Sequence, residues 1–162
     1  GIKLRGVIVV AHFAELDSNN KVLRVVVVSN DDVDANGGDL STGAETFVKN
    51  LLGVTSAEES PTSNAGVSWK QCSYNKNFRK YYPGGSGLWN YDPTLDMFYH
   101  NQPHPGWTRD ENGDWDSPVS RPTETSGKTC VWDESNNKWK GIDLNDASEY
   151  HWNNDTNSWD AI

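Results

Sequence analysis

The side chains of this chain best suited to chemistry are aromatic pairs, each flanking a short polar run of turn-forming residues. Flat aromatic faces stack on sugar rings, and neighbouring Asp and Asn side chains bind hydroxyls. Tryptophans facing solvent would therefore form a glycan-binding surface, whereas rings facing each other across a turn would hold a scaffold together, which we favour. The candidate ligand-binding residues are Trp107, Trp115, Trp132, Trp139, Trp152 and Trp159.

An acidic stretch near the N-terminus has the spacing of metal ligands. Asp32, Asp34 and Asn36 alternate like the first ligands of a calcium loop, and a glycine follows them. The bidentate glutamate expected at the twelfth loop position is missing, because Gly43 stands there. We expect a solvated acidic loop, with calcium as the weaker alternative, and predict neither a metal nor a cofactor.

Signatures of catalysis are missing from the sequence. No nucleophile elbow, phosphate-binding glycine loop or cysteine-protease motif occurs. His100 and His104 have the spacing of two zinc ligands on a helix, but Pro103 and Pro105 prevent that helix. We therefore predict no catalytic residues and no enzyme activity. A small hydrolase that uses two of the 23 acidic residues is the least favoured alternative.

Composition narrows the classes of partner. A net charge of −9 argues against nucleic acid, which needs clustered Lys and Arg. The apolar runs are too short to cross a bilayer, so no membrane insertion is predicted. Cys72 and Cys130 have no metal-ligand spacing, and we expect two reduced thiols, with a disulfide as the alternative. The protein is expected to be made in a cytoplasm.

The start of the chain raises a separate hypothesis. The sequence begins at Gly1 and its one methionine is Met97, while Val10 can be encoded by an alternative bacterial start codon. Residues 1–9 are therefore interpreted as a translated leader that the mature protein lacks. The alternative is a first strand over residues 2–10.

The pattern of apolar residues predicts an α+β fold that is mostly β. Residues 11–16 and 21–29 form a hairpin around a polar turn, and an acidic loop covers residues 30–40. Thr42 and Glu45 have the spacing of a capping box, which predicts one short helix that ends before Gly53. Its apolar face comprises Phe47, Val48, Leu51 and Leu52.

The rest of the chain is predicted to be short strands and turns. Residues 67–74 and 78–82 form strands, and a series of aromatic-clamped hairpins follows them. Prolines punctuate this half, so long helices are not expected. We predict an N-terminal hairpin and helix module at residues 1–53, an exposed linker at 54–66 and a Trp-rich hairpin region at 67–162 that can pack as one domain.

Seven short motifs follow one another along the chain and begin at Ala11, Asn20, Trp69, Asn77, Tyr91, Pro103 and Trp132. Their order resembles that of a group of small, uncharacterised proteins of tailed phages that infect marine bacteria, particularly cyanophages. The resemblance runs from about residue 11 to residue 159, and it implies a virion-associated setting and no catalytic residues. This chain departs from the group by a Gly-Gly-Ser-Gly insertion before Leu88 and by a second terminal Trp pair.

Together these features predict a non-enzymatic structural or host-adsorption protein of a phage particle. It would work by presenting surfaces to other virion proteins or to further copies of itself, because a chain with limited core gains burial by homo-oligomerisation. The main alternative is a carbohydrate-binding module that uses exposed Trp rings to bind a host surface glycan. The expected location is the virion, after synthesis in the host cytoplasm.

Overall fold

The computed structural model describes residues 9–85 and 87–162. The described chain is mostly β, as the sequence predicts, with several small antiparallel sheets, and it has two helices where the sequence predicts one. It divides into two compact units, the first ending at Asn101 and the second comprising Gln102–Ile162. The predicted leader lies outside the described residues except for Val9.

A three-stranded antiparallel sheet forms the centre of the first unit. It consists of β1 (Val10–Asp17), β2 (Val22–Ser29) and β3 (Gly66–Cys72), with β1 between the other two. The predicted N-terminal hairpin is thus confirmed. Its turn is closed by Asp17, whose Oδ1 accepts hydrogen bonds from the backbone N–H groups of Asn19 and Lys21, and Asn20 takes a positive φ of 61°.

Two helices cover one face of this sheet. The predicted helix is confirmed as α2 (Thr42–Leu52), although its N-cap is Ser41, whose hydroxyl accepts from the backbone N–H of Ala44. Val48 is buried on the core side. The predicted apolar face is wrong at its end, where Leu51 and Leu52 are exposed. The helix ends there, and Gly53 at the C-cap has a φ of 68°.

The acidic loop predicted at residues 30–40 is wrong in its first half, which forms α1 (Asn30–Ala35). Ser29 caps this helix by accepting from the backbone N–H of Asp31. Asp31 and Asp32 lie in the first turn, where carboxylates interact favourably with the helix dipole. Val33 is buried in the core and fixes the helix against the sheet.

The sheet has a core on each face because side chains of β1 alternate in direction. Phe13 packs towards the helices with Val33, Val48 and Trp69. Leu16 packs on the opposite side with Tyr91 and Phe98 of the hairpin formed by β4 (Trp89–Asp92) and β5 (Met97–His100). The helices and one aromatic hairpin therefore sandwich the sheet.

Residues 54–66 are largely exposed, but two buried carboxylates of β1 hold them to the sheet. Glu15 accepts from Arg24 Nε at 2.9 Å and from the backbone N–H of Thr55 at 2.6 Å. Asp17 Oδ2 accepts from Thr62 Oγ1 at 2.9 Å. Burial raises the pKa of Asp17, but hydrogen bonds from the Lys21 backbone, Thr62, the Asn19 backbone and Asn64 outweigh it, so the pKa lies below its ordinary value.

The strand predicted at residues 78–82 is wrong, because this segment is a series of bends. Arg79 and Tyr81 have positive φ angles of 49° and 62°, which no strand accommodates. The Arg79 guanidinium explains the path of the chain. It donates to the Gln71 carbonyl, Glu45 and Asp96 at 3.0, 3.2 and 2.8 Å, so the segment is fixed by long-range contacts.

The second unit consists of short hairpins. A two-stranded pair joins β6 (Thr108–Arg109) to β7 (Trp115–Asp116). A four-stranded sheet of order β11-β10-β9-β8 follows, built from β8 (Lys128–Asp133), β9 (Lys138–Asp143), β10 (Glu149–Asn153) and β11 (Ser158–Ala161). Its three turns start at Asp133, Asp143 and Asn153, whose side chains accept backbone N–H groups of their own turns.

Replacement of Gly66 by alanine tests the buried contact between residues 54–66 and the sheet. A Cβ at this position would lie 2.2 Å from Glu15 Oε2 and 2.8 Å from its Cδ. The carboxylate is held by its partners and cannot move, so we expect Gly66→Ala to lower the free energy of unfolding by about 1–3 kcal/mol. Urea unfolding measures the change.

Gly85→Ala is the matched control. A Cβ there would meet atoms of Arg24 and Leu23 at 3.6 and 3.7 Å, which is ordinary contact. We expect its free energy of unfolding to stay within about 0.5 kcal/mol of the parent value. Equal stability of the two variants would show that Glu15 does not hold this segment in place.

Candidate functional site

The six tryptophans predicted as a ligand site form the aromatic core of the second unit. Trp107, Trp139 and Trp152 are buried, each with at most 6% of its surface exposed. The other three, Trp115, Trp132 and Trp159, are partly buried and pack against them. The structure therefore brings all six residues together, but as a cluster in contact with itself and not as a row of exposed rings.

Two of the pairs face each other as predicted. Trp132 is directly opposite Trp139 in the β8–β9 register, with ring centroids 5.3 Å apart and planes at 72°. Trp152 is opposite Trp159 across β10 and β11, at 5.0 Å and 67°. Edge-to-face geometry of this kind is the favoured arrangement of aromatic rings.

The predicted facing of Trp107 and Trp115 is wrong. The β6–β7 register places Arg109 opposite Trp115 and Thr108 opposite Asp116, so Trp107 lies two positions further from the turn than the residue that faces Trp115. The cause is visible in the sequence, because these two rings are eight positions apart and the other pairs are seven apart. Trp107 instead packs on Trp132 and Trp139, each at 5.8 Å.

Three indole N–H groups of the cluster donate to groups of the same unit, whereas Trp107 Nε1 is buried with no hydrogen-bond partner in the described part of the chain. Trp139 Nε1 donates to the Val119 carbonyl at 3.1 Å, and Trp159 Nε1 donates to the Glu124 carbonyl at 2.7 Å. Trp132 Nε1 donates to Glu134 at 2.8 Å. These polar groups are already used inside the unit, which favours packing over ligand contact.

Basic side chains cover outer parts of the cluster. The Arg121 guanidinium carbon lies 4.7 Å from the Trp139 ring centroid and 5.8 Å from that of Trp107. Lys128 Nζ lies 4.9 Å from the Tyr150 ring and 5.9 Å from Trp159. Cation–π contacts of this kind occupy ring faces that a sugar would need.

A polar groove of about 370 Å³ lies on the second unit next to Trp152. Asn153 Nδ2 donates to Asp160 Oδ2 at 3.1 Å on one of its walls. The groove combines an indole edge with amide, carboxylate, imidazole and ammonium groups. Its lining residues are Val119, Asn137, Lys138, His151, Trp152, Asn153, Asn154, Asp155 and Asp160.

A hydrogen-bonded pair next to this groove connects β8 to β10. His151 Nε2 donates to Asp133 Oδ2 at 2.8 Å, and Asn136 Nδ2 donates to the same carboxylate at 2.8 Å. The hydrogen bonds from Asn136 and then His151 lower the pKa of Asp133 to about 2. Asp133 therefore stays ionised and acts as a hydrogen-bond acceptor that ties the first turn to β10.

The weak calcium candidates lie on α1 and do not form a calcium loop. Asp32 and Asp34 are exposed, and two residues apart on a helix they point to opposite sides. Asn36 is the C-cap, and its Nδ2 donates to the Asp32 carbonyl at 2.7 Å. Within residues 9–85 and 87–162, no three His, Cys, Asp or Glu side chains are grouped as metal ligands would be.

The fold brings together the thiol of Cys72 and the imidazole of His12, which are kinds of side chain that can serve as a nucleophile and a base. They are opposite each other in the β1–β3 register. Cys72 is a buried free thiol, and burial raises its pKa to about 12, while burial lowers the pKa of His12. The thiol and the imidazole are both neutral at pH 7, so this pair lacks the thiolate that nucleophilic catalysis requires.

Sequence reasoning missed a second cavity, of about 440 Å³, in the first unit. It borders His12 of β1, the end of β3 and the residues that follow β3. Tyr74 stands beside it with 66% of its surface exposed. No local sequence signal marks this site, because the pairing of β1 with β3 brings distant residues together.

Comparison of the chain with protein-family models, with curated proteins and with solved structures gave no match. The two helices in the described part, of six and eleven residues, are too short and polar to span a membrane.

Replacement of Trp139 by alanine tests the role of the tryptophan cluster. Its ring is buried and contacts Trp107 and Trp132. We expect Trp139→Ala to lower the free energy of unfolding of the second unit by about 3–5 kcal/mol, as for other buried aromatics. Near-UV circular dichroism during urea unfolding follows this unit, which holds six of the eight tryptophans.

Leu144→Ala serves as its control, because Leu144 is 67% exposed in the same unit. It should change the free energy of unfolding by less than about 0.5 kcal/mol. A similarly small effect of Trp139→Ala would mean that the cluster does not hold the unit together.

The pH dependence of stability tests the Asp133 pair. The folded pKa of about 2 is below the ordinary value of 3.8, so the ionised carboxylate stabilises the fold above pH 4, and this contribution disappears as the pH falls towards 2. Asp133→Asn should flatten the fall in unfolding midpoint across this range, whereas Asp116→Asn, at an exposed position, should retain it. Identical curves for parent and Asp133→Asn would rule out the assignment.

Proposed function

We propose that this protein is a non-enzymatic structural or host-adsorption component of a phage virion, and that it acts by presenting surfaces. The observation that carries the proposal is the packing of the six hairpin tryptophans on one another. The six rings are buried or partly buried, and three of them donate their indole N–H groups to a carbonyl or carboxylate of the same unit, which favours a role in holding the unit together. The motif order, which resembles that of small proteins of marine tailed phages, supports the virion as the location, after synthesis in the host cytoplasm.

The way in which the second unit is stabilised suits a structural component of a phage particle. Its 61 residues have few aliphatic side chains, so aromatic pairs and turn hydrogen bonds supply the cohesion that a larger core would otherwise provide. β8 and β11 each have one neighbour in the sheet, and strand edges pair readily with other chains. Other virion proteins or further copies of this chain are the partners we propose for these edges.

A carbohydrate-binding module is the second candidate function, and the groove beside Trp152 is the observation that favours it. The groove offers an indole edge with amide and carboxylate groups, which are the groups that bind sugar hydroxyls. If the protein is a carbohydrate-binding module, the host surface glycan would bind at Trp152 and Asp160 and not on solvent-exposed faces of tryptophan rings. Because Trp152 is buried, carbohydrate binding is a weaker candidate function than a structural role.

A tryptophan-fluorescence titration of the whole chain against surface polysaccharides of marine bacterial hosts separates the two functions. The scaffold predicts emission that is already blue-shifted, because the rings are shielded from water, and no saturable change on titration. Saturable quenching that Trp152→Phe abolishes would contradict the scaffold and favour the groove. Trp115→Phe is the matched control, since Trp115 belongs to the same cluster but does not line the groove.

A further inference from the structure

A cavity in the first unit has the features of a site for a flat, uncharged ligand. Its volume of about 440 Å³ is within the range of small-molecule pockets, roughly 300–1,000 Å³. The walls come from β1, the start of α1, the end of β3 and the turn after it. Aromatic and amide side chains dominate the lining, and His12, Asn30, Gln71, Tyr74, Asn75 and Asn77 are among its members.

Three aromatic rings form a platform beside the cavity. Tyr74 stacks on His12 with ring centroids 5.7 Å apart and planes at 23°. Tyr82 meets both rings edge-on, at 5.4 Å from His12 and 5.2 Å from Tyr74. The centroids are too close for a ligand to enter between the rings, so the outer surface of Tyr74 is the part available. Its orientation is set before binding, which reduces the entropy cost of association.

The electrostatics exclude anions and favour a neutral ligand. Burial lowers the pKa of His12, so the imidazole is uncharged at neutral pH. No Lys or Arg belongs to the described lining. The one acid, Asp39, accepts from Gln71 Nε2 at 2.8 Å, and Gln71 Oε1 accepts from the backbone N–H of Leu40 at 2.7 Å. Phosphate or carboxylate groups would find no cationic partner among these lining side chains.

Side-chain amide groups next to the aromatic platform are available to bind a ligand. Ser73 Oγ accepts from the backbone N–H of Asn77 at 2.9 Å, which closes the turn that carries Tyr74, Asn75 and Asn77. The side-chain amides of Asn75 and Asn77 are exposed and bond to no other residue in the described part of the chain. Each amide offers both donors and an acceptor.

We propose that this cavity binds a short stretch of neutral glycan, with one sugar ring on Tyr74 and its hydroxyls on the amides of Asn75 and Asn77. A pyranose presents an apolar C–H face to an aromatic ring and a rim of hydroxyls to amides, which matches this arrangement. A nucleobase could also stack on Tyr74, but the net charge of −9 opposes nucleotides and nucleic acid. This proposed glycan site lies in the first unit, and it does not depend on the role proposed for the tryptophan cluster.

Calorimetric titration of the full chain with cellohexaose, xylohexaose and mannohexaose tests the proposal, with adenosine as the competing probe. We expect saturable binding of at least one hexasaccharide. Tyr74→Phe should retain the affinity, because the ring remains, whereas Tyr74→Ala should weaken it roughly tenfold or more. Asn75→Ala should weaken binding as well. Leu144→Ala, which removes an equally exposed apolar side chain in the other unit, should bind like the parent.

Several results would overturn the site. They are the absence of saturable binding to all three hexasaccharides, equal affinity of Tyr74→Ala and the parent, and binding of adenosine in place of sugar. Tyr74 is mainly exposed, so its replacement should leave the fold intact, which circular dichroism verifies. Sugar binding that depends on Tyr74 but leaves the tryptophan emission unchanged would support this site while the scaffold role of the second unit stands.

Discussion

Six hairpins in the described chain are closed by the same interaction, in which an Asp or Asn side chain accepts backbone N–H groups of its own turn. Asp17, Asp92, Asp110, Asp133, Asp143 and Asn153 are these residues. The turn then ends in a residue with positive φ, such as Asp96, Asn137, Ala147 or Asn157. This geometry fixes the register, and the register decides whether two aromatic rings meet across the strands.

The length of each hairpin turn explains which aromatic pairs could be predicted from the sequence to face each other. A spacing of seven positions, as between Trp132 and Trp139, leaves four turn residues and makes the rings direct partners. A spacing of eight, as between Trp107 and Trp115, gives a five-residue turn closed by a hydrogen bond from Asp110 N to Asp114 O at 2.9 Å, and the partners shift. The mostly β class and the N-terminal hairpin follow from the same local rules, so they could be predicted.

The errors lie where distant residues decide local structure. Residues 78–82 have strand-forming composition, yet the ion pairs of Arg79 with Glu45 and Asp96 hold them in bends. The first half of the acidic loop becomes helical because Val33 reaches the core. The cavity beside Tyr74 depends on the pairing of His12 with Cys72, which are 60 positions apart. Periodicity carries no information about such pairings, so the candidate glycan site could not be read from the sequence.

The two units use aromatic side chains in opposite ways, and this difference limits where recognition can occur. In the second unit the rings pack edge to face, their N–H groups bind carbonyls, and Arg121 and Lys128 cover outer faces. A ligand would have to displace these contacts before it reached an indole face. The packing that holds the second unit together and the binding of a ligand would therefore need the same ring surfaces. In the first unit Phe13, Leu16 and Trp69 already supply the core, which leaves Tyr74 free to face solvent. Recognition by aromatic stacking therefore belongs to the unit that does not need its exposed ring for stability.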